Sequence, residues 1–296
     1  MTLTLNPCID RTLWVESYGA PPARTQVQTG GKGVNVARVL GNLGIRAAAV
    51  CPLGGETGEQ FAAHAKGEGI ALYPVAVGAP TRVIDTHARI GDMDQRVTYA
   101  RGGALTESEL DAIEARLFAC LPGARALAIC GSASTGEAAA RIPGIIERAR
   151  TMGVATLLDA NGDALRAGLA AKPDIVKPNQ AELFWATGIE DDIARAAAQL
   201  IQSGIPAVLA SMGKAGCAYI AGDIEIYCPA PKVDAVNPVG SGDSFVAGFL
   251  YASLKGYALE TSLMIACAAG AANAAVFPAA RMTKNEIEAL LGWALL

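Results

Sequence analysis

Only two histidines, His64 and His87, occur in the 296-residue sequence. A histidine-based metal site or a serine–histidine–aspartate hydrolase thus has few candidate residues. Aromatic residues make up 5% and charged residues 18%, the latter against roughly 25% in an ordinary domain. There is no lysine or arginine run, and 24 basic against 28 acidic residues leave a net charge of −4. That argues against a general nucleic-acid binder or a basic membrane-surface protein. The seven cysteines (Cys8, Cys51, Cys120, Cys130, Cys217, Cys228 and Cys267) are odd in number, scattered, and form no Cys-x-x-Cys pair. They read as buried free thiols of a reducing compartment. The opening MTLTLNPCID has neither the basic segment nor the apolar run of a signal peptide, so a cytoplasmic location is expected. Neither GxxxxGK[ST] nor GxGxxG occurs, which removes the P-loop and makes a dinucleotide oxidoreductase a poor reading.

Apolar residues are plentiful, at 52%, enough for a large buried core and against disorder. Residues 261–280 carry no charge, yet they are mostly alanine, with Gly270, Asn273 and Pro278. This composition predicts a buried helix and its exit loop rather than a membrane span. Short apolar strands alternate with amphipathic helices. Strands are predicted at residues 3–5 and 45–50, with Val36, Val39, Leu40 and Leu43 forming one helix face between them. Thr106 to Glu109 reads as a capping box, and Thr283 with Glu286 caps a last helix. A helix at 136–152 and a hairpin around 221–223 are also expected. Repeated β-helix-β units imply an α/β fold with a doubly wound, mostly parallel sheet covered on both faces. Residues 11–29 and 80–100 break the rhythm, the second alternating around Gly91-Asp92. Too polar for central strands, they suggest a small β-sheet usable as a lid, or else ordinary surface hairpins.

Three glycine-associated or polar turns are the candidate sites. In Asn237-Pro-Val-Gly-Ser-Gly-Asp243, a Gly240-Ser241-Gly242 turn opens a helix. Its backbone N–H groups and the helix dipole favour an anion. Asp243 in the first turn is either a plain N-terminal charge or a base that takes a proton from a hydroxyl attacking phosphorus. Gly30-Gly31-Lys32-Gly33-Val34-Asn35 joins a second glycine turn to a helix. There Lys32 offers a point charge and Asn35 an amide, or the segment is merely a tight turn with an exposed lysine. Lys177-Pro-Asn179-Gln-Ala-Glu182 lies at a predicted strand end. Asn179 and Glu182 share a helix face and either hold waters around Mg²⁺ or form an ordinary N-terminal cap. Weaker cues are Ser211-Met-Gly213-Lys-Ala-Gly216 as a nucleotide turn, Arg82 near a substrate phosphate, and Asp10 near sugar hydroxyls. His64 is expected at the surface, and His87 has no assigned role.

Together and in this order, these motifs resemble the PfkB (ribokinase-like) carbohydrate kinase family nearly end to end. Thr4-Leu-Asn-Pro-Cys-Ile-Asp10 followed by Gly30-Gly-Lys-Gly-Val-Asn-Val-Ala-Arg-Val-Leu40 is similar to the 1-phosphofructokinase and tagatose-6-phosphate kinase branch. The resemblance implies a single ribokinase-like domain that transfers the ATP γ-phosphate to a hydroxyl of a phosphorylated ketohexose. Fructose 1-phosphate, tagatose 6-phosphate and fructose 6-phosphate all remain open. It assigns Asp243 as base and Gly240, Ser241 and Gly242 as anion hole. Asp10, Gly30, Gly31, Lys32, Asn35, Arg82 and Ser132 fall to the sugar, and Lys177, Asn179, Ser211, Gly213 and Gly216 to ATP. Asn179 and Glu182 go with Mg²⁺, through water; a monovalent cation is an open third cofactor. It also implies a β-lid and a homodimer formed through it, with neither nucleic acid nor membrane as partner. The chain departs from the family at Gly131-Ser132-Ala133-Ser134-Thr135-Gly136, at Arg101, and at Asn161 in the Asp159–Gly162 turn. A kinase of an unphosphorylated sugar or nucleoside and a catalytically silent sugar-binding regulator stand as alternatives; Arg82 and the Asn6-Pro7 context favour the phosphosugar.

Overall fold

A computed structural model describes residues 1–90 and 95–296. The chain runs through β1 (Thr2–Leu3), β2 (Cys8–Val15), β3 (Arg24–Gly30), α1 (Lys32–Asn42), β4 (Ala48–Leu53), α2 (Gly55–Gly67) and β5 (Ala71–Ala76). Next come β6 (Arg82–Arg89), β7 (Gln95–Tyr99), α3 (Glu107–Cys120), β8 (Ala126–Gly131), α4 (Gly136–Ala140), α5 (Ile142–Thr151), β9 (Ala155–Ala160) and α6 (Gly162–Ala170). The last part holds β10 (Ile175–Val176), α7 (Gln180–Thr187), α8 (Ile193–Gln202), β11 (Val208–Ser211), β12 (Cys217–Ala221), β13 (Ile224–Cys228), α9 (Ser241–Lys255), α10 (Leu259–Ala274) and α11 (Lys284–Leu291).

The main sheet has nine strands in the order β13-β12-β11-β10-β9-β8-β1-β4-β5. From β5 to β11 every neighbour is parallel, and the β12–β13 hairpin adds an antiparallel edge. The expected α/β, mostly parallel architecture is therefore present. Both faces are covered. One core joins Leu3, Leu127 and Leu158 to α3 through α8. The other packs Leu157 and Leu209 under α1, α9, α10 and α11. Val36, Val39, Leu40 and Leu43, the helix face read from spacing, are all at most 4% exposed. The uncharged segment becomes α10, buried along most of its length, and its exit loop. No helix among the described residues is long and apolar enough to cross a membrane.

A second sheet of four strands, ordered β3-β2-β6-β7, stands apart from the first. Its central β2–β6 pair is parallel and both flanks are antiparallel. The Gly91-Asp92 turn expected within it lies outside the described residues.

Several boundaries differ from the sequence reading. The helix expected over 136–152 is two, broken at Arg141. Pro143 has no N–H for a continuous helix and sits instead in the first turn of a new one, where that group is not needed. The strand expected at 45–50 is Ala48–Leu53, because Gly44 ends α1 at φ 78° and the next residues serve as connector. The first strand is Thr2–Leu3 rather than 3–5. β5 was hidden by Pro74, which it tolerates as the edge of the sheet. α6 and α8 are additional, while the capping boxes at Thr106 and Thr283 form as read.

Leu158 is fully buried on central β9. Leu158→Ala is expected to lower stability by about 2–5 kcal/mol. Urea unfolding checks this, and a loss below about 1 kcal/mol would contradict the placement.

Candidate active site

β1 pairs with β4 on one side and β8 on the other, so the connections run outward from it in two directions. In open α/β sheets a crevice opens beyond the carboxyl ends of the strands at such a point. Here a cleft of about 520 Å³ occupies that position, with the small sheet on its other side. The segments following β1, β8, β9, β10 and β11 bring Asn6, Ser132, Asn161, Lys177, Asn179 and Gly213 to its wall.

Two helices also start at the cleft. α1 begins after Gly31, whose φ of 110° suits glycine. A Cβ on Gly30 would lie 2.2 Å from Asp10 Oδ2, so the first glycine turn is pressed directly against that carboxylate. Asp10 is partly buried, and desolvation raises its pKa, although the Cys8 thiol donating to it at 3.2 Å and nearby arginines pull the other way.

α9 begins after Gly240, at φ 82°. The Ser244 N–H is the one that reaches the Gly240 carbonyl, so the N–H groups of Gly242 and Asp243 at the tip have no partner four residues back. Ser241 is partly engaged elsewhere. Its N–H donates to the Pro238 carbonyl at 3.2 Å, and its hydroxyl accepts from Asn273 Nδ2 at 3.1 Å. Asn273 is fully buried and also donates to the Val239 carbonyl at 2.8 Å, tying the tip to α10.

The two helix starts meet through a side-chain bond. Asn35 Nδ2 donates to Asp243 Oδ2 at 2.7 Å, across 208 residues of sequence. Burial, helped by the Asp159 charge, raises the Asp243 pKa to about 6, against the pull of Lys32, Asn35 and Lys177. Asp159 is itself completely buried, at the end of β9. Burial alone would push its pKa up, but Lys177 at 3.0 Å and Lys32 at 3.2 Å outweigh that and hold it low. Lys32 is desolvated too, yet Asp159, Glu182 and Asp243 together raise its pKa above the usual lysine value. Both lysines bind Asp159 Oδ1, and Asp159 Oδ2 is buried without a partner.

The Asn179–Glu182 pair forms a complete capping box on α7. Asn179 Oδ1 accepts from the Glu182 N–H at 2.8 Å, and Glu182 Oε2 accepts from the Asn179 N–H at 2.9 Å. Glu182 Oε1 remains 3.7 Å from Lys32 Nζ. A bridge between Asn179 and Ser211 brings those two turns side by side. Gly216 closes the Ser211 turn behind the cleft wall, its N–H on the Gly213 carbonyl at 3.0 Å.

Of the residues singled out from sequence, Asp10, Gly31, Lys32, Asn35, Arg82, Ser132, Lys177, Asn179, Ser211, Gly213, Gly240, Gly242 and Asp243 line the one cleft. Gly30, Glu182, Ser241 and Gly216 are not among its lining residues, but each is bonded to or adjoins one that is. Arg82 is partly spent, because its guanidinium donates to the Asn6 carbonyl at 3.0 Å and the Ala100 carbonyl at 3.3 Å.

Asp159, Asn6 and Asn161 were given no site role from sequence. Asn6 Nδ2 donates to Ser132 Oγ at 3.1 Å. Asn161 starts α6 but makes no capping bond with its side chain, which lines the cleft instead. The available signal was position: a lone aspartate ending the apolar run Ala155–Ala160, and an asparagine just beyond it.

The model of the "pfkB family carbohydrate kinase" matches residues 3–284. A 1-phosphofructokinase of Rhodobacter capsulatus is 34% identical over 280 residues, covering 90% of this chain and 87% of the relative. The ATP-dependent 6-phosphofructokinase isozyme 2 of Escherichia coli K12 is 31% identical over 282 residues, covering 92% and 91%. A crystal structure of Escherichia coli phosphofructokinase-2 in complex with potassium superposes with a TM-score of 0.90 at 27% identity, covering 98% of this chain and 97% of the other. With two glycine turns, a strand-end cleft and a match spanning nearly every residue, this chain belongs to the pfkB family of carbohydrate kinases.

Proposed function

We propose that this kinase transfers the ATP γ-phosphate to a hydroxyl of a phosphorylated ketohexose, with Asp243 as general base. The observation that carries the reading is Asp243 itself. It is a buried carboxylate in the first turn of a helix, facing the cleft, with Oδ2 held by Asn35 at 2.7 Å. A carboxylate at an anion-attracting tip makes poor sense for binding alone, since it repels phosphate. It makes sense for a group that must take up a proton as phosphate arrives.

The sugar docks against Asp10, Gly30, Gly31 and Asn35, with Ser132 on the opposite wall. Lys32 and Arg82 supply its phosphate contacts, Arg82 by exchanging its longer bond to the Ala100 carbonyl. ATP lies along Lys177, Asn179, Ser211, Gly213 and Gly216. The small sheet closes over the sugar as a lid and excludes water, which would otherwise consume ATP.

Asp243 Oδ1 accepts the hydroxyl proton, and the oxygen attacks the γ-phosphorus in line. The N–H groups of Gly240, Ser241 and Gly242 form the anion hole for the charge that develops, the Ser241 N–H sharing its turn bond with the incoming oxygen. Lys177 carries compensating positive charge beside the transfer.

Mg²⁺ prefers oxygen donors and keeps several waters. Glu182 and the partnerless buried Oδ2 of Asp159 fit it through water, and Asn179 takes part only through its cap, since its oxygen is engaged. When bound, the ion neutralises phosphate charge. A monovalent cation rests on the relative's potassium complex alone, and we tie no residue of this chain to it. The seven free thiols support a reducing, cytoplasmic setting. A homodimer through the small sheet completes the reading.

Asp243→Asn is expected to keep ATP binding and lose roughly 10²-fold to 10⁴-fold in kcat. ADP release measured with fructose 1-phosphate, tagatose 6-phosphate or fructose 6-phosphate checks this; a variant within threefold of wild type would remove the base assignment. A base works only when ionised, so kcat/KM should rise with pH and level off above about 6, where the Asp243 carboxyl loses its proton. A flat profile from pH 5 to 8 speaks against it. Lys32→Ala should raise KM for the phosphosugar well above any change for ATP, because it removes a charge-assisted contact. Equal changes for both substrates would count against its assignment.

A further inference from the structure

Asn35 meets Asp243 with its nitrogen rather than its oxygen, and the cause lies one turn further along α1. Arg38 is only 3% exposed. Spacing of three places it on the same helix face as Asn35. Its Nη1 donates to Asn35 Oδ1 at 2.6 Å. Its Nη2 donates to Thr29 O at 2.5 Å, Thr29 Oγ1 at 2.6 Å and Glu68 Oε2 at 2.8 Å, with Nε 3.2 Å from the same Glu68 oxygen. Glu68 is anchored in turn by the Thr29 N–H, the Thr29 hydroxyl and Arg281 Nη2 at 2.8 Å. These partners fix the guanidinium from three directions, on β3, after α2 and on α1.

We infer that Arg38 is a positioning residue of the phosphoryl-transfer site: by occupying Asn35 Oδ1, it compels the amide to present Nδ2 to the Asp243 carboxylate. The inference rests on Asp243 acting as the base. An amide has two faces, and only the NH₂ face can bond an ionised carboxylate. With its oxygen pinned by a cation, the amide cannot turn over. Asp243 Oδ2 is then always engaged, and the other oxygen is left for the substrate hydroxyl.

The groups facing Asp243 are Lys32 and Asn35 from α1, Asp159 from the end of β9, Lys177 beyond β10, and the buried Cys8 and Cys130 thiols. Of these, Asn35 is the hydrogen-bond donor to its carboxylate, and Arg38 is what sets its direction. Loss of the guanidinium frees the amide to rotate. The ionised form of Asp243 then loses a donor while keeping the repulsion of Asp159. Its proton is held more tightly, and fewer molecules have a free base at a given pH.

The test is the pH dependence of kcat/KM for the phosphosugar in Arg38→Met, Arg38→Met/Glu68→Gln and Arg38→Lys, with thermal melting and KM for ATP alongside. In Arg38→Met the acid limb should move up by about 0.5–1 pH unit while KM for ATP stays unchanged. The double variant, which removes the buried carboxylate's charge as well, should show the same shift. Lysine cannot serve Asn35, Thr29 and Glu68 together, so Arg38→Lys should restore only part of it. If Arg38→Met fails to fold, Arg38→Lys decides on the same reading. A folded variant with the wild-type limb overturns the inference, since a merely structural arginine would lower the melting temperature without moving the profile. If Asp243→Asn is inactive and the Arg38 profiles do not move, this inference alone fails. If Asp243→Asn retains activity, the base assignment is what fails.

Discussion

The site is organised around a single bond between two helix beginnings. Asn35, in the first turn of α1, donates to Asp243, in the first turn of α9. Each helix brings a positive N-terminal end and a glycine turn to the same crevice. One turn lies against Asp10, and the other presents free N–H groups. The bond fixes their spacing, and with it, in the proposed mechanism, the distance between acceptor alcohol and migrating phosphoryl group. Bulk packing supports this geometry: α1, α9 and α10 share one core on the same face of the sheet.

A buried carboxylate at a phosphate site is tolerable only if the surrounding charge is balanced. The balance here is Asp159 with Lys177 and Lys32 on one of its oxygens, close enough to Asp243 to act on it in both senses. Burial and then Asp159 disfavour ionisation of Asp243 while the lysines and Asn35 favour it, which leaves its pKa raised to about 6. Burial amplifies each of these effects, because no water screens them. The same logic explains why a second sheet beside the cleft matters to the proposed chemistry. Covering the sugar keeps the dielectric low and the competing nucleophile out.

The mostly parallel sheet, the helix faces and three capping boxes were legible because each rests on local chemistry: apolar strands alternating with helices, apolar spacing, or a Thr/Asn three residues before Glu. The Asn179–Glu182 motif shows the limit of such reading. Its cap and its proposed metal role use the same two residues, and the structure forms the cap. β5 was illegible because Pro74 contradicts a central strand and only the edge position reconciles it. The break at Arg141 depends on where Pro143 falls in a new helix. Asp159, Arg38 and Glu68 were invisible for a different reason. Their partners are distant in sequence, Lys32 lying 127 residues from Asp159, and no local pattern announces a long-range ion pair. Glu68, following α2, reads as solvated surface until β3 and Arg281 close around it.

The central claim is a matter of distance, and a crystal structure with a phosphoketohexose and a non-hydrolysable ATP analogue measures it directly. One Asp243 oxygen should lie within about 3 Å of the acceptor hydroxyl, with the γ-phosphate on the Gly240–Gly242 N–H groups. A ternary complex with the sugar hydroxyl and the phosphate both more than about 6 Å from that carboxylate, beyond the reach of a single bridging water, would contradict it.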